Sequence, residues 1–512
     1  MAGTSVLISN EDDLRLAEIG HKPQLHRQYG LMSAVALGCL ASNSWSALAG
    51  TLVAGLSSGG PALIVYGFIF VTVASAFVAL SLAELTSSYP TAGGQYHWAA
   101  AIAPSKYARP ASFFTGYFNL AAYIVGTAGS VLILAQFIVA MAIMMNPDFV
   151  FERWKVFLLY LVVTLLSTLW SIYGNQLMTH LNRLALFWTF ASCAITMAVM
   201  LAMSKSKKPA TTVFATWINE TGWDNNIIAA LVGLLNPAFG FVAIDAVVHF
   251  SEEIKDPETN IPRALGAVLL FGFVSGFAFI TATFFCIQDT AKVLAPATGV
   301  PIVEIFTQAT SQAGGLGLTL LLFFSTVPAL LDCQMATSRL LWALARDNAL
   351  PFSTSLQKVN SRLGVPVHAS IAVGVSLAML GCIYLGNTTA FNAFISSSIV
   401  LNNLTYAVPI CLNMLQGRKT FRRGKFHLPG ISGWIVSIVT CCWILLTVIF
   451  FSFPSSWPVT PANMNYTSLL VGACALFSSF WWFLRGKHTY EGPVVDIRLE
   501  EVSKNIDHDL KA

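Results

Sequence analysis

Twelve apolar segments follow one another along this chain and constrain its fold more than any other feature. Each is long enough to cross about 30 Å of hydrocarbon as an α-helix. We place them at 31–56, 61–85, 111–145, 156–174, 184–203, 227–250, 265–287, 315–342, 367–385, 389–413, 431–453 and 466–484. Charged residues make up 10% of the chain, against roughly 25% in soluble domains. The pattern predicts an all-α integral membrane protein.

One membrane domain, residues 31–485, is expected to hold nearly the whole chain. Polar tails flank it at 1–30 and 486–512. The first tail has no apolar core, so no cleavable signal peptide is expected and the first span serves as its own insertion signal.

The distribution of basic residues predicts the topology. If the N-terminus is cytosolic and the spans alternate, the cytosolic parts hold all but six of the 28 Lys and Arg residues. The six exceptions are Arg153, Lys155, Lys205, Lys207, Lys208 and Lys292. This excess follows the positive-inside rule, although the lysines at 205–208 do not. We therefore expect both termini in the cytosol and a plasma-membrane location.

All nine cysteines lie inside predicted spans, so they are expected to be packing residues. No loop offers a cysteine pair for a disulfide or a zinc site. The loop 146–155 after the third span has no cysteine. A disulfide-linked subunit, a metal and a cofactor are therefore not expected.

The sixth apolar segment contains a break in its middle. Asn236-Pro237 interrupts it and Gly240 follows. Proline removes a backbone donor, which predicts two half-helices with an unwound middle. Such a break survives in a bilayer only where it is buried in protein or lines a polar cavity. A discontinuous helix at mid-membrane depth typically marks the solute site of a secondary transporter.

The first segment carries a polar run in its middle, from Ala41 to Ser46. Breaks in the first and sixth spans have the spacing expected if spans 1–5 and 6–10 are inverted copies, with two helices added. Small polar residues also form packed helix faces, so a structural role for the run stays open.

Three motifs resemble the signatures of the amino acid–polyamine–organocation superfamily. Residues 84–96 carry an acidic residue, a proline and paired glycines, residues 241–263 match the signature of span six, and residues 337–351 match that of the span-eight exit. Within the superfamily, the chain resembles the fungal amino acid/choline transporter family. The segments similar to its choline-permease branch are 43–45, 56–61, 426–430 and 458–466.

The resemblance implies a twelve-span permease with the leucine-transporter-type inverted repeat of five plus five helices and two extra helices. Such proteins work by alternating access. Family members carry choline, γ-aminobutyrate or other amino acids, so the expected substrate is a small amine or amino acid. If it is an amino acid, which carries no net charge, we expect a proton to be co-transported.

We expect the substrate to bind between the two broken spans, with the third span opposite. The residues expected to converge there are Ser42, Asn43, Trp45, Tyr123, Phe239, Gly240, Phe241 and Asp245. Amino-acid-carrying relatives usually have glycine-rich backbone where Trp45 stands. An indole offers an aromatic face to a quaternary ammonium, worth about 2 kcal/mol when desolvated. This departure favours a choline-type substrate, with helix packing as the alternative role of Trp45.

Four further residues are candidates for coupling or gating: Glu84, His249, Asp332 and Arg339. A carboxylate inside the membrane costs roughly 2.5–3.5 kcal/mol on insertion scales, so it needs a role or a partner. Asp245 is either a counter-charge to an amine or a structural link between half-helices. His249 lies four residues on, as a pH-sensitive partner or a packed neutral ring.

The other three candidates have separate expectations. Asp332 lies where this fold often builds an ion or proton site. Glu84 is expected to contact Arg339 or another basic residue at the cytosolic face, or to be exposed there.

Three classes of function compete. A choline-type permease is favoured, and the alternatives are a proton-coupled amino acid or γ-aminobutyrate permease and a nutrient sensor that barely transports. A membrane enzyme is excluded, because no nucleophile–base cluster is present. The basic loop 418–425 predicts contact with anionic lipid rather than nucleic acid.

Overall fold

The structure is a computed structural model that describes residues 25, 27–146, 148–149, 152–386, 390–419, 422–461 and 463–493. Most of the two expected tails lies outside them. The first helices are α1 (Leu31–Ser42), α2 (Ser44–Gly50), α3 (Leu52–Ser88), α4 (Gln95–Ile102), α5 (Ser105–Met145), α6 (Arg153–Tyr173), α7 (Asn175–Met203), α8 (Ala210–Phe214), α9 (Asn226–Gly233) and α10 (Leu235–Phe239).

The second half begins with a 3₁₀ turn at Ala246–Phe250. Its helices are α11 (Pro257–Cys286), α12 (Thr290–Leu294), α13 (Pro301–Ala309), α14 (Gln312–Arg346), α15 (Ser353–Leu356), α16 (Val367–Gly386), α17 (Ala390–Leu415), α18 (Gly430–Phe450), α19 (Thr467–Trp481) and α20 (Lys487–Thr489). A π-helical turn, Trp482–Gly486, joins the last two.

Eleven helical segments within the described residues are long and apolar enough to cross a membrane. The sixth crossing is assembled from α9, α10, an unwound stretch and the 3₁₀ turn. Together they confirm the predicted all-α membrane fold of about twelve helices. The boundary between the first two spans differs from expectation: α3 runs through the expected connection, and Gly60, with φ 71°, kinks it.

Both predicted breaks are present. Asn43 separates α1 from α2 with φ 34° and ψ 60°, a left-handed conformation that asparagine tolerates better than most residues. In the sixth span the helix passes through Pro237, which lies in the first turn of α10, where no intrahelical N–H is required. The unwound stretch begins at Gly240, one turn later than the Asn236-Pro237 pair suggested.

The two breaks meet at the centre of the molecule. The Ser44 hydroxyl donates to the Gly240 carbonyl at 2.6 Å. Helix α11 approaches both breaks through Gly272, where a Cβ would lie 2.5 Å from Ser44 Oγ and 3.0 Å from the Phe241 ring. A side chain at this position would push the three segments apart, so only glycine fits.

The molecule has two faces. The N-terminal face is where α1 begins and α14 ends, and the opposite face is where α14 begins. At the N-terminal face the backbone before α1 pairs with the chain after the 3₁₀ turn, as Tyr29 bridges Ile254. The N–H groups of Gln28 and Tyr29 both donate to the Glu253 carbonyl, at 2.9 and 3.0 Å.

Candidate substrate site and gates

A central cavity lies between the breaks of the first and sixth spans. Its volume is about 50 Å³. One water needs roughly 10–15 Å³ of such space, so the cavity suits a small solute. None of the described residues that line it is charged. They are Ala41, Ser42, Asn43, Ser46, Ala47, Ala122, Tyr123, Gly126, Thr127, Ser130, Ile133, Phe239, Val242, Ala243, Thr326, Ala329, Cys333, Ser398 and Asn402.

Four of the eight residues expected to form the site line this cavity: Ser42, Asn43, Tyr123 and Phe239. Tyr123 and Phe239 give it two aromatic side chains. The Asn43 amide donates to the Ser325 carbonyl at 2.5 Å, so the break of the first span is tied to α14. The cavity therefore touches spans one, three, six, eight and ten.

The other four expected residues lie outside the cavity lining. Trp45 is buried against Phe279, with ring centroids 5.2 Å apart in an edge-to-face arrangement. Phe241 stacks on Phe68 at 5.3 Å, and Gly240 accepts the hydroxyl of Ser44. Residues 46 and 47 of α2 face the cavity, and a helix turns about 100° per residue. Trp45 consequently points to α11 and not into the cavity. In this conformation its indole does not supply the aromatic face that was expected for the substrate.

Asp245, the last of the eight, lies directly behind the cavity wall with no exposed surface. Its carboxylate accepts from the Gln95 amide at 2.5 Å, the Tyr123 hydroxyl at 2.8 Å and the Asn402 amide at 3.5 Å. Tyr123 and Asn402 also line the cavity, so they separate the carboxylate from any solute there. These hydrogen bonds run to α4, α5 and α17 and not to the half-helices of the two broken spans, so the expected link between half-helices is not what they form.

His249 packs beside this carboxylate. Its Nε2 lies 3.6 Å from Asp245, and its ring meets Tyr123 edge-on at 4.8 Å. Nδ1 lies 2.9 Å from the Ala92 carbonyl, which can only accept, so Nδ1 carries a proton. The histidine is thus held by the segment 84–96.

Gln95 is a site residue that sequence reasoning missed. Its Nε2 binds Asp245, and its Oε1 accepts from the Asn119 amide at 2.6 Å. It follows the paired glycines of the motif 84–96, one of which, Gly94, has φ 53°. That motif pointed to the region, but no spacing rule connects it with residue 245.

Asp332 occupies a separate buried position in α14. The Asn182 amide of α7 donates to both carboxylate oxygens, at 3.0 and 3.2 Å. Among the described residues no cationic group lies within 4 Å. The next residue, Cys333, lines the central cavity. A fully buried carboxylate with one neutral donor is costly in its charged form.

Buried ion pairs close the N-terminal face. Arg339 Nε donates to Glu253 at 2.8 Å, and Arg346 binds both oxygens of Glu252 at 3.0 and 3.1 Å. Arg339 also donates to the Asn175 side chain at 2.7 Å. These pairs join α14 to the sixth span and to the start of α7.

Glu84 contacts a basic residue other than Arg339. Arg418 donates to both of its oxygens at 2.8 Å, and His427 Nδ1 lies 2.9 Å away. The alternative of simple exposure is wrong, since Glu84 is 3% exposed. It fixes the loop after α17 to the end of α3.

A protonatable pair lies just beyond α14 at the same face. The Tyr96 hydroxyl donates to Asp347 at 2.8 Å. Burial raises the pKa of Asp347 to about 6, although neighbouring Arg346 opposes the shift. The carboxyl group of Asp347 therefore holds its proton to a higher pH than an ordinary aspartate does.

On the opposite side of the cavity, a buried amide joins the two broken spans. The buried Asn236 amide donates to the Leu48 carbonyl at 3.0 Å and to Thr51 Oγ1 at 2.7 Å. This links α10 to the end of α2. The barrier contains no ion pair within the described residues.

Residues 30–474 match the family described as amino acid permease. The choline transporter of Saccharomyces cerevisiae is 36% identical over 469 residues, covering 91% of this chain and 83% of that protein. The swainsonine transporter of Arthroderma benhamiae is 28% identical and covers 93% of both. An amino-acid permease of Arabidopsis thaliana is 28% identical over 96% of this chain and 98% of its own.

Fold, cavity and similarity agree on a carrier. The match spans all the described crossings but the end of the last one, and it includes both broken spans. The chain belongs to the amino acid permease family and is a membrane transporter for amine or amino acid substrates, not an enzyme.

Proposed function

We propose that this permease carries a small choline-type cation, bound in the central cavity and exchanged between the two faces by alternating access. The observation that carries the proposal is the Asp245 carboxylate directly behind Tyr123 and Asn402. A negative charge behind a neutral wall favours a net cation, and the two aromatic side chains suit an ammonium group that has no N–H to donate. The similarity to a choline transporter supports the same substrate.

The proposed substrate can be tested by uptake. Radiolabelled choline, γ-aminobutyrate and mixed amino acids are offered to permease-deficient yeast expressing the chain, with and without a protonophore. Choline uptake is expected to dominate. Asp245→Asn keeps the shape and removes the charge, so it should raise the half-saturating choline concentration about tenfold, which corresponds to about 1.4 kcal/mol. Amino-acid uptake without choline uptake would refute the choline proposal.

The second candidate is a proton-coupled permease for an amino acid or γ-aminobutyrate. It is favoured by Asp332, a buried carboxylate with no cation beside it among the described residues, and by the relatives named amino-acid permeases. A zwitterion moves no net charge and needs a coupled ion, with Asp332 as the proposed proton carrier. A cation could be concentrated about a hundredfold by a potential of about 120 mV, since 100 mV supplies about 2.3 kcal/mol per charge.

The orientation is part of the proposal. We place the N-terminal face and both termini in the cytosol, with the protein in the plasma membrane and its basic loop 418–425 against anionic lipid. The charge distribution supports this. Ser355→Cys and Ser455→Cys each add a thiol at an exposed position. In intact cells, an impermeant thiol reagent should label Ser455→Cys more than the wild-type chain with its nine cysteines, and should label Ser355→Cys no more than the wild type.

A nutrient sensor remains the third candidate, and uptake separates it from a permease. A sensor binds its ligand but gives no accumulation in proteoliposomes under an imposed gradient. The small cavity, closed on both sides by different barriers, supports a carrier instead.

A further inference from the structure

A second and larger cavity opens at the opposite face. Its volume is about 240 Å³ in the same measure as the central cavity. We call it the vestibule. Its lining residues are Val53, Ala54, Ser57, Ser58, Glu220, Thr221, Val232, Leu235, Asn392, Ser396, Phe450, Phe451, Phe453, Ser455, Ser456, Asn463, Met464 and Asn465.

The vestibule lies above the central cavity along the same helices. In α17, Ser396 lines the vestibule and Ser398 lines the central cavity. In α10, Leu235 lines the vestibule and Phe239 lines the central cavity. Asn236, whose amide binds Leu48 and Thr51, lies between Leu235 and Phe239 in the chain and thus between the residues of α10 that line the two cavities. A solute in the vestibule is therefore one barrier away from the central cavity.

The vestibule has the chemistry of a cation site. Among the described residues, Glu220 is the only charged one that lines the vestibule, and its carboxylate makes no ion pair with any of them. Three phenylalanines, at 450, 451 and 453, line the same cavity. A carboxylate with aromatic rings nearby attracts an ammonium group by charge and by the quadrupole of the rings. An anion would meet an unpaired negative charge and, among the described lining residues, no cationic partner.

The segment that carries Glu220 is held in a defined position. The Glu220 N–H donates to the Ser57 carbonyl at 2.8 Å. The Thr221 carbonyl accepts from the Trp457 N–H at 2.6 Å. Gly222 follows with φ 75°, and a Cβ there would lie 2.0 Å from the Trp457 carbonyl oxygen. The backbone thus fixes the position of Glu220, while its side chain is exposed to the vestibule.

We propose that the vestibule binds an organic monocation, with Glu220 as its counter-charge, before the cation enters the central cavity. The class of ligand is a quaternary or primary ammonium of choline size. Delivery to the central cavity rests on the proposed function, whereas binding in the vestibule does not.

The first experiment measures the field in the vestibule without transport. Ser455→Cys places a thiol on its wall in the purified full-length chain. The measured quantity is the rate of modification by a trimethylammonium-bearing methanethiosulfonate divided by the rate of modification by a neutral methanethiosulfonate. This ratio is expected to be at least threefold higher in Ser455→Cys than in the double variant that also carries Glu220→Gln. Choline at millimolar concentration should slow the cationic reagent.

The matched control is Asp224→Asn in the same background. Asp224 is an exposed carboxylate four residues from Glu220 that does not line the vestibule. It should leave the ratio of cationic to neutral rates within a factor of 1.5 if the effect is local. A ratio that Glu220→Gln leaves unchanged would overturn the proposal, as would equal effects of the two substitutions.

The second experiment tests delivery in proteoliposomes. At low ionic strength, Glu220→Gln should raise the half-saturating choline concentration about threefold to tenfold and leave the maximal rate unchanged. At high salt the wild type and the variant should have the same half-saturating concentration, because salt screens the charge. An unchanged half-saturating concentration would overturn delivery. If the wild-type chain carries no choline at all, the proposed function fails, while the thiol experiment still decides on the vestibule.

Discussion

The Arg339 guanidinium donates to the Glu253 carboxylate at 2.8 Å, and neither side chain is more than 1% exposed. The pair joins α14 to the end of the sixth span. The Glu253 carbonyl also accepts the two N–H groups that precede α1. One residue thus ties both broken spans to a helix that lines the central cavity.

Removal of this charge should open the N-terminal face. Glu253→Gln leaves a buried guanidinium unpaired, which typically costs 3–5 kcal/mol. We expect a lower melting temperature of the purified protein and loss of uptake. Adding Arg339→Gln should recover part of the stability, because the double variant has no unpaired charge.

The control for this prediction is the pair Lys425–Asp256, whose side chains are 52% and 46% exposed. Exposed pairs contribute about 0–1 kcal/mol. Asp256→Asn should therefore change the melting temperature little. A melting temperature of Glu253→Gln equal to that of Asp256→Asn would show that the buried pair does not hold the face closed.

Substitutions of two aromatic residues should separate packing from binding. Phe239→Ala removes a cavity wall and should raise the half-saturating choline concentration about tenfold. Trp45→Ala removes a buried side chain that packs on Phe279, at a cost of about 3–5 kcal/mol. Trp45→Ala should lower the melting temperature, whereas the choline concentration that half-saturates the folded protein should change less than twofold. Melting curves and choline binding in the detergent-purified protein, normalised to folded protein, measure the two quantities. A large loss of choline binding with an unchanged melting temperature would place Trp45 in the site.

Asp332 should determine the response to a proton gradient. Asp332→Asn keeps the contact with Asn182 but cannot bind and release a proton. If the substrate is an amino acid, a proton gradient at zero potential should drive its accumulation by the wild-type chain and not by this variant, while exchange persists. The exposed Asp224→Asn variant serves as control. Proton-driven accumulation by Asp332→Asn would exclude this residue as the carrier.

Asp347 predicts a pH dependence of stability. Burial raises its pKa from 3.8 to about 6. Between these values the folded state binds more protons than the unfolded state, so the contribution of this group to stability is full below pH 4 and is lost as pH rises through 6. The shift corresponds to about 3 kcal/mol.

Asp347→Asn removes the titrating group and retains an acceptor for Tyr96. It should flatten the fall in melting temperature between pH 4 and 6.5 and raise the melting temperature at pH 7.5. Melting curves across this range check the prediction. A variant with the same pH profile as the wild type would show that another group titrates.

The sequence predicted the two breaks because they arise from local chemistry. A proline, a glycine and a polar run interrupt apolar segments, and the bilayer tolerates such interruptions only inside the protein. The direction of Trp45 could not be predicted in this way. It depends on the left-handed turn at Asn43, which resets the phase of α2 relative to α1. The exact start of the second break shifted for a similar reason, since Pro237 fits the first turn of a new helix.

Partners distant in sequence were beyond prediction. A basic partner for Glu84 was expected at the N-terminal face, but several basic residues there could have been that partner. The one it binds, Arg418, lies 334 residues away and adopts φ 57°. Gln95 was missed because an amide carries no charge that demands a partner, although it makes the shortest contact with Asp245.

The two barriers of the central cavity are unequal, and this has a consequence for capture of the substrate. Several buried ion pairs hold the N-terminal face closed, whereas the described contacts that Asn236 makes on the other side include no ion pair. If the N-terminal face lies in the cytosol, as proposed, the empty carrier should rest more often open to the external side, ready to capture scarce solute. The gradients of the solute and of any coupled ion still set the direction of net transport, because unequal barriers change only how often each state is occupied.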